Sequence, residues 1–241
     1  MIFMLNKLKA DLRKFGSSEK AKIYERFFKT GPGQYGEGDQ FIGVTVPETR
    51  SVAKKFQELP FVDLQKLLHS PTHEERLCAL LILIEQFQSA SRRSDESTKE
   101  KIYNFYLANT GYINNWDLID LSADQIVGGY LQDKPKDILK KLALSDSVWE
   151  RRVAILSTFH FIKSGEPKYT LELAEMLLND SHDLIQKAVG WMLREVGKRC
   201  SEKILTDFLD KHASQMPRTA LRYAIERLPE EKRLKYLKKT S

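Results

Sequence analysis

The chain has 241 residues, with 39 lysines and arginines against 33 aspartates and glutamates, so its formal net charge is +6 at pH 7. This length is enough for one large domain with a substantial hydrophobic core. A hydrophobic fraction of 41% and a charged fraction of 30% exclude a wholly disordered chain. The excess of basic residues is modest, so the positions of the charges must decide whether the protein binds an anionic partner.

Targeting and cysteine signals favour a reducing, aqueous compartment. Met1–Leu5 is apolar, but charged residues follow at once, so no signal-peptide core forms. No apolar run approaches the roughly 20 residues that a membrane span needs. Cys78 and Cys200 are far apart, which argues against a disulfide framework and a structural zinc site. We therefore expect a soluble cytoplasmic protein.

The hydrophobic periodicity is helical along almost the whole chain. A strand could be proposed only at 40–46, a short stretch bounded by glycines and a proline. The pattern predicts an all-α protein, with helix ends uncertain by about two to four residues. The predicted helices are 2–15, 18–30, 47–57, 61–69, 73–89, 97–109, 115–131, 135–145, 148–164, 168–179, 182–198, 201–212, 216–227 and 230–239.

Local signals support several of these helix ends. The segments 72–75 and 147–150 both fit the capping-box pattern, in which a Ser or Thr precedes a Glu by three residues. Pro135 is predicted in the first turn of its helix. Gly165, which is followed by a proline, is predicted to end the helix before it.

The helices also repeat in pairs. The segments 62–86, 136–160, 171–195 and 204–227 each contain a helix, a short polar break and a second helix richer in small apolar residues. Helix pairs with a period of about 35–45 residues are typical of HEAT-like repeats. We therefore predict a HEAT-like helical-repeat solenoid, a single domain over residues 1–241, with a concave groove suited to a long ligand.

Two segments match the sequence patterns of known binding motifs but lack the structural context that binding requires. Residues 31–36 match GxGxxG, but a predicted helix precedes them and acidic residues follow, whereas phosphate binding needs a strand before the glycines. His69 and His73 have the spacing of a zinc helix, but Pro71 between them breaks the required face. Nucleotide and zinc binding are therefore set aside, and a loop that exposes backbone to a partner is favoured at 31–36.

Trp116 and Asp120 form the first group that could carry chemistry. Their i, i+4 spacing on a predicted helix places an indole beside a carboxylate. For a single pair of this kind, the alternative interpretation is a core tryptophan next to an ordinary surface acid.

A second group forms a stripe on the predicted helix 182–198. Lys187, Trp191, Arg194 and Lys198 fall at i, i+4, i+7 and i+11, which sets an aromatic ring among three cations. The opposite side of the helix is apolar. A basic stripe can be a solvated face, but an exposed indole within it favours a binding role. Basic groups suit phosphates, and aromatic faces suit bases or cationic sugars.

Four segments together resemble one known family. Residues 41–50, 115–120, 145–156 and 185–195 contain FIGVTVPETR, NWDLID, SDSVWERRVAIL and IQKAVGWMLRE. In this order and spacing they are similar to the bacterial AlkD family, HEAT-like-repeat DNA glycosylases that excise alkylated purines. The similarity runs from about residue 21 to residue 227.

The resemblance implies roles for individual residues. Trp116 and Trp191 match the two active-site tryptophans of the family, and Asp120 matches its catalytic aspartate. Arg152 matches the arginine that contacts DNA near the lesion, and Arg50 and Arg194 match positions associated with backbone contact. With the basic stripe included, the expected catalytic residues are Asp120, Trp116 and Trp191, and the expected DNA-binding residues are Arg152, Arg194, Lys187, Arg50 and Lys198.

The resemblance also implies an activity. We expect a monofunctional hydrolase that releases 3-methyladenine and 7-methylguanine from double-stranded DNA, with no metal or cofactor and without drawing the lesion into a deep base pocket. The expected protein is a bacterial, cytoplasmic monomer, associated with the nucleoid when bound to DNA.

Two other classes of function stay open at this point. One is a HEAT-repeat protein that binds DNA structures without catalysis, and the other is a protein–protein scaffold. Asp120 between two matching tryptophans argues against the first class, and the basic and aromatic stripe argues against the second. Whether loop 31–39 contacts DNA is also open.

Overall fold

The computed structural model describes residues 2–238, with side chains from residue 4 onward. The regular secondary structure of this part of the chain is helical, which confirms the all-α prediction and is consistent with a helical-repeat solenoid. Over the same residues, an isolated bridge between Gln40 and Thr72 is the only strand-like pairing, so the stretch proposed as a strand is a loop up to Thr45, and α3 begins at Val46. None of the described helices is long and apolar enough to cross a bilayer.

The structure divides into two compact units, Met1–Ser122 and Ala123–Ser241. In the first unit, α5 is central: every residue from His73 to Ile84 is buried, and α1, α3, α4 and α6 pack against this helix. The helices that begin in this unit are α1 (Ile2–Arg13), α2 (Ser18–Phe27), α3 (Val46–Ala53), α4 (Phe61–Leu68), α5 (His73–Arg92), α6 (Glu96–Ala108) and α7 (Trp116–Ala123), with 3-10 turns at Lys54–Phe56 and Thr110–Tyr112.

The second unit is organised around α13, which packs against α10, α11, α12, α14 and α15. Gly190 allows α15 to lie close to α13, because a Cβ there would lie 2.3 Å from the Ala220 carbonyl oxygen. The elements of this unit are a π-helical turn (Asp124–Gly128), α8 (Gly129–Leu131), α9 (Asp137–Ala143), α10 (Val148–Ser157), α11 (Phe159–Lys163), α12 (Lys168–Met176), α13 (Asp183–Arg199), α14 (Glu202–His212), α15 (Arg218–Ala224) and α16 (Glu230–Lys238).

Each predicted helix corresponds to helical structure, and three of them are not continuous α-helices. The predicted helix 47–57 ends in the 3-10 turn Lys54–Phe56. The predicted helix 148–164 is divided into α10 and α11 at Thr158, and the predicted helix 115–131 contains the π-helical turn. The last predicted residue of helix 230–239, Lys239, lies outside the described residues.

The predicted helix start at Pro135 is wrong, because α9 begins at Asp137. Lys136 is buried in a non-helical conformation (φ −110°, ψ 15°). Its Nζ donates to the carbonyl oxygens of Gln132 and Lys134 and lies 4.9 Å from the Phe161 ring centroid. These contacts keep the backbone out of the helix until the next residue.

The two predicted capping boxes have different outcomes. Ser147 does accept a hydrogen bond from the Glu150 backbone N–H. Thr72 makes no side-chain cap, and Glu75 instead forms ion pairs with Lys9 (2.7 Å) and Arg13 (3.0 Å). The predicted helix stop at Gly165 is confirmed, since this residue follows α11 with a φ of +79°.

The four predicted repeat segments each contain two helices. The pairs α4–α5, α9–α10 and α12–α13 are in direct contact, while α14 and α15 both pack against α13. The HEAT-like class, the single-domain extent and the concave groove stay predictions.

Candidate active site

Helix α7 brings the predicted pair Trp116 and Asp120 to one cavity of the first unit. Trp116 is the first residue of the helix, Asp120 follows one turn later, and both are half-buried. The cavity has a volume of about 340 Å³. It is lined by Tyr24, Phe27, Phe28, Phe41, Val44, Val46, His73, Glu74, Leu77, Trp116, Asp117, Asp120 and Leu121.

Aromatic rings hold the indole of Trp116 in place. Phe28 stacks on Trp116 (centroids 5.2 Å apart, planes at 25°) and on Phe41 (5.1 Å, 14°). Phe27, which is 60% exposed, meets the indole edge-on at 5.7 Å. The indole Nε1 donates to the Tyr35 hydroxyl at 3.3 Å, so the glycine-rich segment that resembled a nucleotide motif instead supports the candidate site.

A buried polar network lies behind this aromatic cluster. His73, which is 2% exposed, is 3.1 Å from Asp39 Oδ2 through Nδ1 and 2.8 Å from Asp117 Oδ2 through Nε2. Arg76 donates to Asp39 Oδ1 at 2.6 Å. Two carboxylates and two basic groups are thus paired inside the first unit, as buried charges require.

The charge state of the network follows from these contacts. Burial lowers the pKa of His73, but attraction and hydrogen bonding to Asp117, with the hydrogen bond to Asp39, outweigh it and raise the pKa to about 9. Burial raises the pKa of Asp39, but the hydrogen bond with His73 and the charge of Arg76 hold that pKa below its ordinary value. At neutral pH, His73 is therefore an imidazolium between two carboxylates.

The network reaches the first turn of α7 through two residues. Asp117 is the second residue of the helix. Asn115 Nδ2 donates to Asp39 Oδ2 at 3.1 Å, and Asn115 Oδ1 accepts the backbone N–H of Trp116 at 2.8 Å. Because both contacts fix the start of the helix, they set the position of Trp116 and, one turn later, of Asp120.

Glu74 fixes the loop at another wall of the cavity. Its carboxylate accepts the backbone N–H groups of residues 42–44 at 2.8–3.2 Å. Gly43 has a φ of +77°, and a Cβ there would lie 2.0 Å from the Ser17 carbonyl oxygen, so glycine is required. The buried carboxylate of Glu74 therefore holds three successive backbone N–H groups of this loop.

Helix α13 of the second unit presents the predicted stripe as expected from its periodicity. The opposite side is buried, at Ile185, Ala188, Val189, Met192 and Val196. Lys187, Trp191 and Arg194 are half-buried, and Lys198 is exposed. The Trp191 ring lies 6.2 Å from the Phe159 ring, so this indole is also supported by a neighbouring aromatic residue.

The three cations of the stripe differ in whether a neighbouring carboxylate pairs with them. Lys187 pairs with Asp183 at 2.8 Å, and Arg194 pairs with Glu226 and, at 3.6 Å, with Glu195. Over residues 2–238, no ion pair involves Lys198. A phosphate would compete with carboxylates at the first two positions and meet an unneutralised cation at the third.

The other two predicted DNA-binding arginines lie in different settings. Arg152 is only 5% exposed, and its Nη1 donates to the Leu184 carbonyl oxygen at 2.5 Å, which ties α10 to the start of α13. Arg50 is half-buried in α3, and within the described part of the chain it forms no ion pair. Their contacts with DNA stay predictions.

Sequence reasoning missed the polar network. It joins Asp39, His73, Asn115 and Asp117, and its hydrogen-bonded partners lie up to 76 residues apart in the chain, so no local spacing connects them. Asn115 alone carried a usable signal, as an Asn directly before a helix. The rejected zinc pair does not share a helix, since His69 follows α4 and His73 begins α5. Among residues 2–238 no cluster of three or more metal-ligating side chains occurs.

Comparisons with known proteins place the chain in a family. The family model described as DNA alkylation repair enzyme matches residues 8–228. The solved structure of a "Predicted DNA alkylation repair enzyme from Enterococcus faecalis" is similar with a TM-score of 0.65 and 16% identity, over 89% of this chain and 97% of that chain. At this identity the likeness shows the fold. No curated protein matches the sequence. Because the family model spans most of its length, the chain belongs to the DNA alkylation repair enzyme family.

Proposed function

We propose that this protein is an AlkD-like monofunctional glycosylase that hydrolyses the N-glycosidic bond of N3- and N7-alkylated purines in double-stranded DNA. The observation that carries the proposal is the placement of Asp120 beside Trp116 at one cavity, on a helix whose first turn is held by a buried polar network. Family membership supports alkylated DNA as the partner.

The proposed reaction needs few catalytic groups. Alkylation at N3 or N7 makes the base cationic, so when the bond to C1′ breaks, its electron pair neutralises the base and no general acid is needed. Positive charge then grows on the deoxyribose. A water oxygen bonds to C1′, and the water proton leaves to solvent. A fixed carboxylate stabilises this oxocarbenium-like transition state, and we assign that role to Asp120.

The remaining predicted residues hold the DNA. Trp116 and Trp191 are assigned contact with the sugar and its backbone, through apolar and cation–π interaction. Arg152, Arg50, Arg194, Lys187 and Lys198 are assigned phosphate contacts. Lys198 and Arg50 should contribute most per residue, since no ion pair with a described carboxylate neutralises them.

Base release from methylated DNA tests the proposal directly. Incubation of the protein with methylated duplex DNA in EDTA should release 3-methyladenine and 7-methylguanine, measured by chromatography. The strand should stay uncut, and borohydride should trap no adduct, since no lysine nucleophile takes part. DNA binding without base release would instead favour the non-catalytic DNA-binding class, and absence of DNA binding would favour the scaffold class.

The salt dependence of binding tests the stripe on α13. Lys198→Ala should weaken binding to all duplex sequences alike and lower the slope of log affinity against log salt by about one. The matched control is Lys101→Ala, which removes an exposed lysine of α6 outside the predicted site and should leave the slope unchanged. Equal slopes for the two variants would contradict a phosphate contact at Lys198.

A further inference from the structure

The net positive charge of the chain lies in its last fifth. Residues 191–241 contain 13 lysines and arginines against seven aspartates and glutamates, whereas residues 1–190 contain 26 of each class. The net charge of +6 therefore belongs to the second half of α13 and to the residues after it. A surplus of positive charge on one part of a protein attracts a polyanion to that part.

A cavity of the second unit collects part of this charge. It has a volume of about 320 Å³ and lies between the end of α13, the first turns of α14 and the end of α15. Arg194 and Lys198 line it from α13, and Arg227 lines it from the turn that follows α15. Three cations from two separate elements thus face one space.

Two of these three cations lack a counter-charge. Arg194 pairs with Glu226, an exposed carboxylate. Within residues 2–238, the side chains of Lys198 and Arg227 form no ion pair and no hydrogen bond. Like charges that face one cavity without a partner repel each other, so an anion placed between them removes an unfavourable interaction.

The rest of the lining favours a ligand that has both an anionic and an apolar part. Glu202 lines the cavity, but its carboxylate is already paired with Lys232 at 2.5 Å. Leu205, Ala224 and Leu228 form a buried apolar wall, and charges beside such a wall attract each other more strongly than in bulk water. A sugar–phosphate unit of a DNA strand has this composition, because its phosphate is anionic and its sugar ring is largely carbon.

We propose that this cavity binds one backbone phosphate of the DNA, held by both Lys198 and Arg227, with the attached sugar against the apolar wall. The inference rests on DNA as the partner in the function proposed above. It adds Arg227 and the end of α15 to the DNA-binding surface, so the basic stripe of α13 continues onto a second helix. Because backbone contacts carry no base information, the site binds damaged and undamaged duplex alike.

Binding of an undamaged duplex by Arg227→Ala tests the site. The variant should bind about tenfold more weakly at low salt, the effect of losing one charge-assisted contact. It should also lower the slope of log affinity against log salt by about one. Fluorescence anisotropy over a salt series measures both quantities, and Arg227→Lys, which keeps the charge, should retain most of the affinity.

The matched control is Arg222→Ala. It removes an exposed arginine of α15 that lies outside the cavity and forms no ion pair within the described part of the chain, so affinity and slope should stay at their wild-type values. Arg227 is equally exposed, so neither substitution removes a core contact. Equal affinity and slope for Arg227→Ala and Arg222→Ala would overturn the proposal.

The double variant Lys198→Ala with Arg227→Ala tests whether the two cations share one phosphate. Residues that hold the same group are not additive, so the double variant should lose clearly less affinity than the product of the two single losses. Its slope should be lowered by about one and not by about two. A slope lowered by about two, with multiplicative losses of affinity, would place the two residues at separate phosphates and refute the shared site.

Orthophosphate distinguishes a backbone contact from a site for a free anion. Equilibrium dialysis of the wild-type chain with labelled orthophosphate is carried out with and without a saturating duplex. We expect the duplex to displace any bound orthophosphate, since both use the same cations. Orthophosphate that stays bound beside the duplex, and is lost in Arg227→Ala, would assign the cavity to a free anion and contradict the backbone contact.

The phosphate site and the glycosylase function can fail separately. Release of 7-methylguanine from methylated duplex, by a protein whose duplex affinity does not depend on Arg227, would refute the site and leave the glycosylase standing. Duplex binding with the expected dependence on Arg227, but no base release, would support the site and refute the glycosylase.

Discussion

Asp120→Asn should lower the rate of 7-methylguanine release by about 100-fold or more, because the substitution keeps the shape of the side chain and removes its charge. Loss of one preorganised electrostatic group typically has an effect of this size. Affinity for the same lesion-containing duplex should hold or rise, since the carboxylate acts mainly on the transition state and its removal takes a negative charge away from the phosphates.

Single-turnover release and equilibrium binding should be measured on the same duplex, so that rate and affinity separate. The matched control is Asp137→Asn, which removes an exposed carboxylate in the first turn of α9 and should leave both quantities unchanged. Full activity of Asp120→Asn would show that the assigned mechanism is wrong, even for a protein that excises alkylated bases.

Most of the fold could be predicted because it depends on short-range patterns. The apolar side of α13 recurs with helical spacing, and the five residues predicted on that side are all buried. Helix ends were harder where a single side chain overrides the local rule. Lys136 delays α9 through contacts with residues on both sides of it, and Thr72 loses its predicted cap while Glu75 pairs with α1. A complete capping box does form, between Thr45 and Glu48, at a position that the sequence analysis did not select.

The candidate site could also be predicted only where it depends on short-range patterns. Trp116 and Asp120 could be paired from the sequence because they lie one helical turn apart. The groups that position them could not, because Asp39 and His73 come from distant segments and meet Asp117 only in the folded chain. The aromatic cavity has the same origin, since Phe28, Phe41 and Trp116 are brought together by a loop and two helices.

The paired charges around His73 should make stability depend on pH in a defined window. Its pKa is about 9 in the folded protein, against 6.5 for an unperturbed histidine side chain, so folding favours the protonated form. The resulting stabilisation is fully present below pH 6.5 and is lost as the pH rises towards 9 and above. A difference of this size corresponds to about 3 kcal/mol, a large share of the stability of a typical domain.

Urea unfolding of wild type and His73→Gln at pH 6.5 and pH 9.5 measures this effect. The variant leaves the carboxylates of Asp39 and Asp117 without the imidazolium, so it should be much less stable than wild type at pH 6.5, and the difference should shrink by about 3 kcal/mol at pH 9.5. His69→Gln, which replaces an exposed histidine, should keep the wild-type pH dependence. A difference between wild type and His73→Gln that stays constant with pH would mean that His73 is not held in its charged form. Because the same imidazolium holds the first turn of α7, base release by wild type should fall in the same alkaline window in which its stability falls.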